Sequence, residues 1–151
     1  VGEFQGKRVL VTGAAGALGL AVAQRFARAG ASLALLVRTV GSLRDREPGL
    51  VLDHLAIEAD LLAPQAVTGA VGEALAKLGG IDVLCNIAGG FRMGRAVHET
   101  PLELWREMLD VNATSVINVA AAVVPDMLGR GAGNIVNVGA MAAHSGKASM
   151  G

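Results

Sequence analysis

The stretch Val9–Gly19, VLVTGAAGALG, constrains this chain more than any other. An apolar run of Val9, Leu10 and Val11 stops at Thr12. Glycines follow at Gly13, Gly16 and Gly19, and a helical pattern then begins. A buried strand that turns through glycines into a helix is the opening half of a dinucleotide-binding βαβ unit. Gly13 permits the tight turn off the strand. Gly16, without a Cβ, lets a pyrophosphate approach the backbone, and Gly19 lets the helix lie close to the sheet. The N–H groups and positive dipole end of that helix would hold the phosphate. Glycine spacing by itself also fits an Ala/Gly-rich turn between any strand and helix, so the remaining chain has to decide.

A chain of 151 residues, 52% apolar, is long enough for one domain with a real core. Its longest apolar stretches are too short to span a bilayer, and its N-terminus has no signal-peptide core. A cytoplasmic protein with no membrane partner is therefore expected. Thirteen basic residues balance 13 acidic ones, which gives no argument for a nucleic-acid partner. One cysteine, Cys85, reads as a small buried hydrophobe, and His54, His98 and His144 lack metal-ligand spacing.

In chain order, strands are predicted at 7–11, 32–37, 54–58, 81–85 and 135–138. The helix over 16–29 presents Leu18, Val22, Arg25 and Phe26 on its inner face. A short helical piece over 42–47 is broken by Pro48-Gly49. Pro64 opens a helix to about Leu78, with Val67, Val71, Ala74, Leu75 and Leu78 on one side. Thr100-Pro101-Leu102-Glu103 starts a long helix that runs to Leu128 unless Pro125 kinks or ends it. Its inner face carries Leu109, Val116 and Val119, and Asn112 is expected to be buried beside them. The alternation predicts an α/β domain: a Rossmann-like doubly wound parallel sheet of order 3-2-1-4-5. Ligand would sit where Gly13, Arg38, Asp60, Asn86 and Gly139 converge, at the carboxyl ends of the strands.

These motifs together resemble the short-chain dehydrogenase/reductase family from about Gly6 onward. The matching pieces are Thr12-Gly13 to Gly19, Asp60-Leu61, Asn86-Ile87-Ala88-Gly89, Asn112 and the strand Asn134 to Val138. The resemblance implies hydride transfer between a nicotinamide cofactor and a small-molecule carbonyl or alcohol. It implies cofactor contacts at Gly13, Ala15, Gly16, Leu18, Gly19, Arg38, Asp60, Leu61, Asn86, Ala88, Gly89 and Val111. Asp60 would accept from the adenine amino group. Asn112 would hold a water of the proton relay. Ala17 and Ile87 depart from the family pattern, which has a glycine and a second asparagine there. Val37 stands where NAD-preferring sites place an acid, and Arg38 follows it, so NADP is expected, with NAD as the alternative.

Two catalytic parts are missing from the places the resemblance requires. Ala140 stands where the family has a substrate-orienting serine, and Ser145 or Ser149 would have to substitute. The segment 139–143 is similar to the dihydropteridine reductases, which lack that serine. The chain has no tyrosine, and the family's Tyr-x-x-x-Lys pair would begin just past Gly151. The expectation is an N-terminal portion, 1–151, with the sheet incomplete on its C-terminal side, without the catalytic pair or substrate pocket, and inactive as it stands. The alternative is a short non-catalytic NADP(H)-binding protein. The helix over 101–128 is expected to build a homo-oligomer. Phe91, Met93 and Met141 are candidates for an apolar pocket, and Arg92 and Arg95 read as solvated loop arginines or as attractors of an anionic substrate.

Overall fold

The computed structural model describes residues 2–144. Five strands make one parallel sheet: β1 (Arg8–Thr12), β2 (Ser32–Val37), β3 (Leu55–Glu58), β4 (Val83–Asn86) and β5 (Asn134–Asn137). Their order is β3-β2-β1-β4-β5, the Rossmann-like order expected. The helices are α1 (Ala17–Arg28), α2 (Val40–Arg46), α3 (Pro48–Asp53), α4 (Pro64–Leu78), α5 (Leu102–Leu109) and α6 (Ser115–Arg130).

Side chains alternate across a strand, so one apolar run fills two cores. Val9, Val11, Leu33, Leu35 and Val37 pack on one face with Ala23 of α1, Leu43 of α2 and Leu50 of α3. Leu10, Leu36 and Leu84 pack on the other with Val67 and Val71 of α4 and Val119 and Val123 of α6. An ion network fastens the amino ends of the strands. Arg8 donates to Asp82 through Nε at 2.9 Å and Nη2 at 2.6 Å, and Arg130 bridges Asp82 and Asp126, each at 2.8 Å. The carboxyl ends remain for a site.

Several local expectations shift. The buried face of α1 is Gly19 and Ala23, while Leu18 is half exposed and Arg25 points to solvent. A Cβ on Gly19 would run into the Gly13 carbonyl, so the helix lies too close to its strand for a large side chain on that line. The short helix α2 ends before Pro48 as expected, with Glu47 in a non-helical backbone, but Pro48 then opens a second helix. The proline occupies the first turn of α3, where its missing N–H costs nothing. Pro125 sits inside α6 without ending it.

The long helix is interrupted instead at Asp110–Thr114, a π turn that joins α5 to α6. Leu109 is 57% exposed, not inward-facing. Leu102–Arg130 spans 29 residues with mean hydropathy 1.4, long and apolar enough to cross a membrane by length and composition, contrary to the shorter stretches expected. In this fold Val119, Val123 and Met127 of that segment lie buried against the sheet. Among the described residues β5 pairs with β4 alone, and its Ile135 and Val136 are exposed.

Candidate functional site

The site is built where β1 gives way to α1. Gly13 has φ +65°, a left-handed backbone that an L side chain rarely adopts. A Cβ there would also stand 2.8 Å from the Ala88 Cα, so Gly13 is required both for its conformation and for the close approach of the loop after β4. Gly16 N donates to Gly13 O at 2.9 Å, closing the turn. Gly16 then caps α1 in an extended conformation, with no side-chain cap and no acid in the first turn. The first-turn amides of α1 are therefore unsatisfied by any side chain among the described residues, as an anion site needs. A Cβ on Gly16 would meet only the Gly13 carbonyl, at 3.2 Å, so the outer side of the turn is open. Ala15 is half-buried and Leu18 exposed on this turn.

Thr12 contributes what the sequence did not announce. Its buried Oγ1 accepts from Ile87 N at 3.0 Å and Ala88 N at 3.1 Å. The hydroxyl thus locks the ends of β1 and β4 together and sets the height of Ala88 and Gly89. Asn86 is buried, and its Nδ2 donates to Asn137 Oδ1 at 2.9 Å, tying β4 to β5, while its own Oδ1 has no partner among the described residues. Asn118 Nδ2 donates to Leu61 O at 2.9 Å and so joins α6 to the end of β3. Next to it Asp60 is exposed, and its Oδ1 accepts from Leu62 N at 2.9 Å.

Asn112 lies in the π turn and is exposed, not buried as the sequence suggested. Its Oδ1 accepts from Gly90 N at 3.1 Å, and its Nδ2 donates to Gly90 O and Met108 O, each at 2.9 Å. The widened turn brings the side chain across to the loop after β4. Gly89 is needed for this approach, since a Cβ there would be 2.9 Å from Asn112 Oδ1. Val111 packs its methyl groups over Gly90.

At the other end Val37 is buried, and Arg38 projects from the end of β2 into solvent. Val40 N donates to Glu58 Oε1 at 2.6 Å, which holds the segment after Arg38. Arg46 of α2 donates to the Ala15 carbonyl, another contact that the sequence did not suggest. Beyond Asn112, a cavity of about 160 Å³ is lined by Arg92, Met93, Arg95, Thr100, Leu104, Trp105 and Met108. Of the three pocket candidates only Met93 lines it. Phe91 and Met141 are exposed outside it. Arg92 pairs with Glu107 at 3.0 Å. Ala140 follows β5 at the carboxyl edge and brings no hydroxyl. Ser145 and Ser149 lie outside the described residues.

Comparison with known proteins agrees with this architecture. A family profile described as short chain dehydrogenase matches residues 7–151. The chain is 40% identical over 131 residues to 1-deoxy-11-beta-hydroxypentalenate dehydrogenase of Streptomyces arenae, covering 84% of this chain and 46% of that protein. It is 37% identical over 139 residues to oxidoreductase UcpA of Escherichia coli K12, covering 90% and 52%. Among solved structures it superposes on NAD+-bound xylitol dehydrogenase with TM-score 0.92 at 33% identity, covering 98% of this chain and 58% of that one. The chain spans about half the length of the curated relatives it matches.

Proposed function

The chain belongs to the short-chain dehydrogenase family, and on that premise we propose that its carboxyl edge holds a nicotinamide dinucleotide in an oxidoreductase that interconverts a carbonyl and an alcohol. The observation that carries this reading is one edge where an uncapped helix N-terminus, the left-handed Gly13 turn and the Asn112–Gly90 contact meet. When bound, the dinucleotide supplies or accepts the hydride. The residues of this chain bind and orient it. Gly13, Ala15, Gly16, Leu18 and Gly19 frame the amides that receive the pyrophosphate. Asp60 accepts from the adenine amino group through its second oxygen, beside the Leu61 backbone. Asn86, Ala88, Gly89 and Val111 line the dinucleotide from the β4 side.

NADP is favoured over NAD because no acid stands at Val37 and Arg38 offers a guanidinium to a 2′-phosphate. NAD is the alternative, and the xylitol dehydrogenase structure holds NAD+. Asn112 positions a water in the proton relay. The 151 residues contain no tyrosine, so the proton donor is not assigned to this chain. The substrate is a small-molecule carbonyl or alcohol. Exposed Leu102, Trp105, Leu109 and Ile117 along 101–128 suit a homo-oligomer. The proposed location is cytoplasmic.

The second reading is a non-catalytic NADP(H)-binding protein, favoured by Ala140 in place of a hydroxyl. NADPH oxidation by the full-length protein over a panel of aldehydes and ketones separates the two. Turnover supports the oxidoreductase, and binding without turnover across the panel supports the second reading. Failure to bind any dinucleotide contradicts both.

A further inference from the structure

Arg46 ends α2, and its guanidinium is anchored on the Ala15 carbonyl inside the glycine turn, 31 residues away in sequence. Ala14 N donates to Leu36 O at 3.4 Å, so this turn lies against the end of β2, where Arg38 emerges. The glycine turn thus carries the Arg46 guanidinium and lies beside the strand end from which Arg38 emerges. Two of the acids near these arginines are engaged elsewhere. Glu47 Oε2 accepts from Gln24 Nε2 at 2.6 Å, and Glu58 Oε1 accepts from Val40 N. Among the described residues neither arginine has a carboxylate within ion-pair distance. The glycine turn itself, residues 13–18, carries no basic side chain.

We propose that Arg46 is a specificity-determining residue that supplies, together with Arg38, the positive charge a 2′-phosphate on the adenosine ribose requires. The inference rests on the NADP reading above. A phosphate monoester carries nearly two negative charges at neutral pH, more than one guanidinium neutralises. Arg46 spends one N–H on Ala15 and keeps the rest of its five donors for oxygen atoms. The carbonyl anchor also restricts a long side chain before ligand arrives, which lowers the ordering cost of binding. A ribose hydroxyl needs an acceptor as well as a donor, and a guanidinium offers none, so the same pair gives little to NAD.

Two probes that differ only in the 2′-phosphate test this: adenosine 2′,5′-bisphosphate and adenosine 5′-monophosphate, titrated calorimetrically into the full-length protein. The unaltered protein should prefer the bisphosphate. Arg46→Ala and Arg46→Gln should each weaken the bisphosphate about tenfold, a single charge-assisted contact, and leave the monophosphate within about twofold. Glutamine keeps part of the stem and a polar head without the charge, so its loss reads the charge rather than side-chain bulk. The proposal is overturned if Arg46→Gln keeps the original preference, or if both probes weaken equally in both variants. It is also overturned, with the NADP reading intact, if Arg38→Ala reduces the preference and the Arg46 variants do not. If the unaltered protein shows no preference, the NADP reading itself fails.

Discussion

Asn112 holds Gly90 at both polar ends of the residue, accepting from its N–H at 3.1 Å and donating to its carbonyl at 2.9 Å. A third bond, to Met108 O at 2.9 Å, ties the same side chain to α5. One amide thus fixes the loop after β4 relative to the π turn. Replacing it with Asn112→Ala should destabilise the protein by about 1–2 kcal/mol, as expected for partly solvated hydrogen bonds. NADPH affinity should fall as the Gly89-Gly90 segment loosens. Urea unfolding and NADPH fluorescence titration measure the two effects. Unchanged values in both would mean that water replaces the clamp at no cost.

Gly13 and Gly16 should behave differently although both belong to the glycine turn. Gly13→Ala must place a methyl group 2.8 Å from the Ala88 Cα in a left-handed backbone, and should cost about 2 kcal/mol or more. Gly16→Ala meets only the Gly13 carbonyl at 3.2 Å, at a normal φ of −74°. It should cost less than about 1 kcal/mol in stability and still weaken dinucleotide binding, because the methyl group occupies the open side of the turn. Thermal unfolding alongside NADPH titration of both variants distinguishes loss of fold from loss of approach.

The order of elements was legible in the sequence because continuous apolar strands and helical apolar periods are local patterns. The sheet order followed from crossover handedness. The glycine turn and the positions of Asp60 and Asn86 at strand ends were legible for the same reason. What escaped was non-local or without a side-chain period. Thr12 reaches Ile87 and Ala88 across 75 and 76 residues, and Arg46 reaches Ala15 across 31. The π turn at Asp110–Thr114 is a change of backbone pairing that no hydrophobic pattern marks, and it moved Asn112 from a buried helix face to the loop after β4. On α1, hydrophobicity pointed to Leu18, but close packing selected Gly19 and Ala23.

Acid should unfold this protein through Asp82. The Arg8 guanidinium hydrogen-bonded to it holds its carboxyl well below the ordinary range, and Asp126 is lowered likewise by Arg130. A carboxylate with a depressed folded pKa contributes stability that is present above its unfolded value, near pH ~3.9, and lost as pH falls through the folded value. Stability should therefore fall steeply below about pH 4. Burial lowers the pKa of His54, so a shallower decline should begin below its unfolded value, about pH 6.5. Urea midpoints across this range check both limbs. Asp82→Asn should flatten the steep one, and His54→Gln the shallow one.

Charge at Arg38 should decide cofactor preference. Arg38→Asp removes a guanidinium and supplies the acid that Val37 does not, so NADPH should weaken by about 2–3 kcal/mol while NADH gains. Paired titrations with the two cofactors measure the reversal. Equal losses for both would indicate that Arg38 shapes the edge without reading the phosphate.

The central claim is that the carboxyl edge of this sheet binds a nicotinamide dinucleotide, and calorimetric titration of the full-length protein with NADPH and NADH tests it most directly. The account predicts saturable binding, one dinucleotide per chain, with NADPH favoured by about tenfold or more. No saturable heat with either cofactor, from protein shown to be folded, would contradict it.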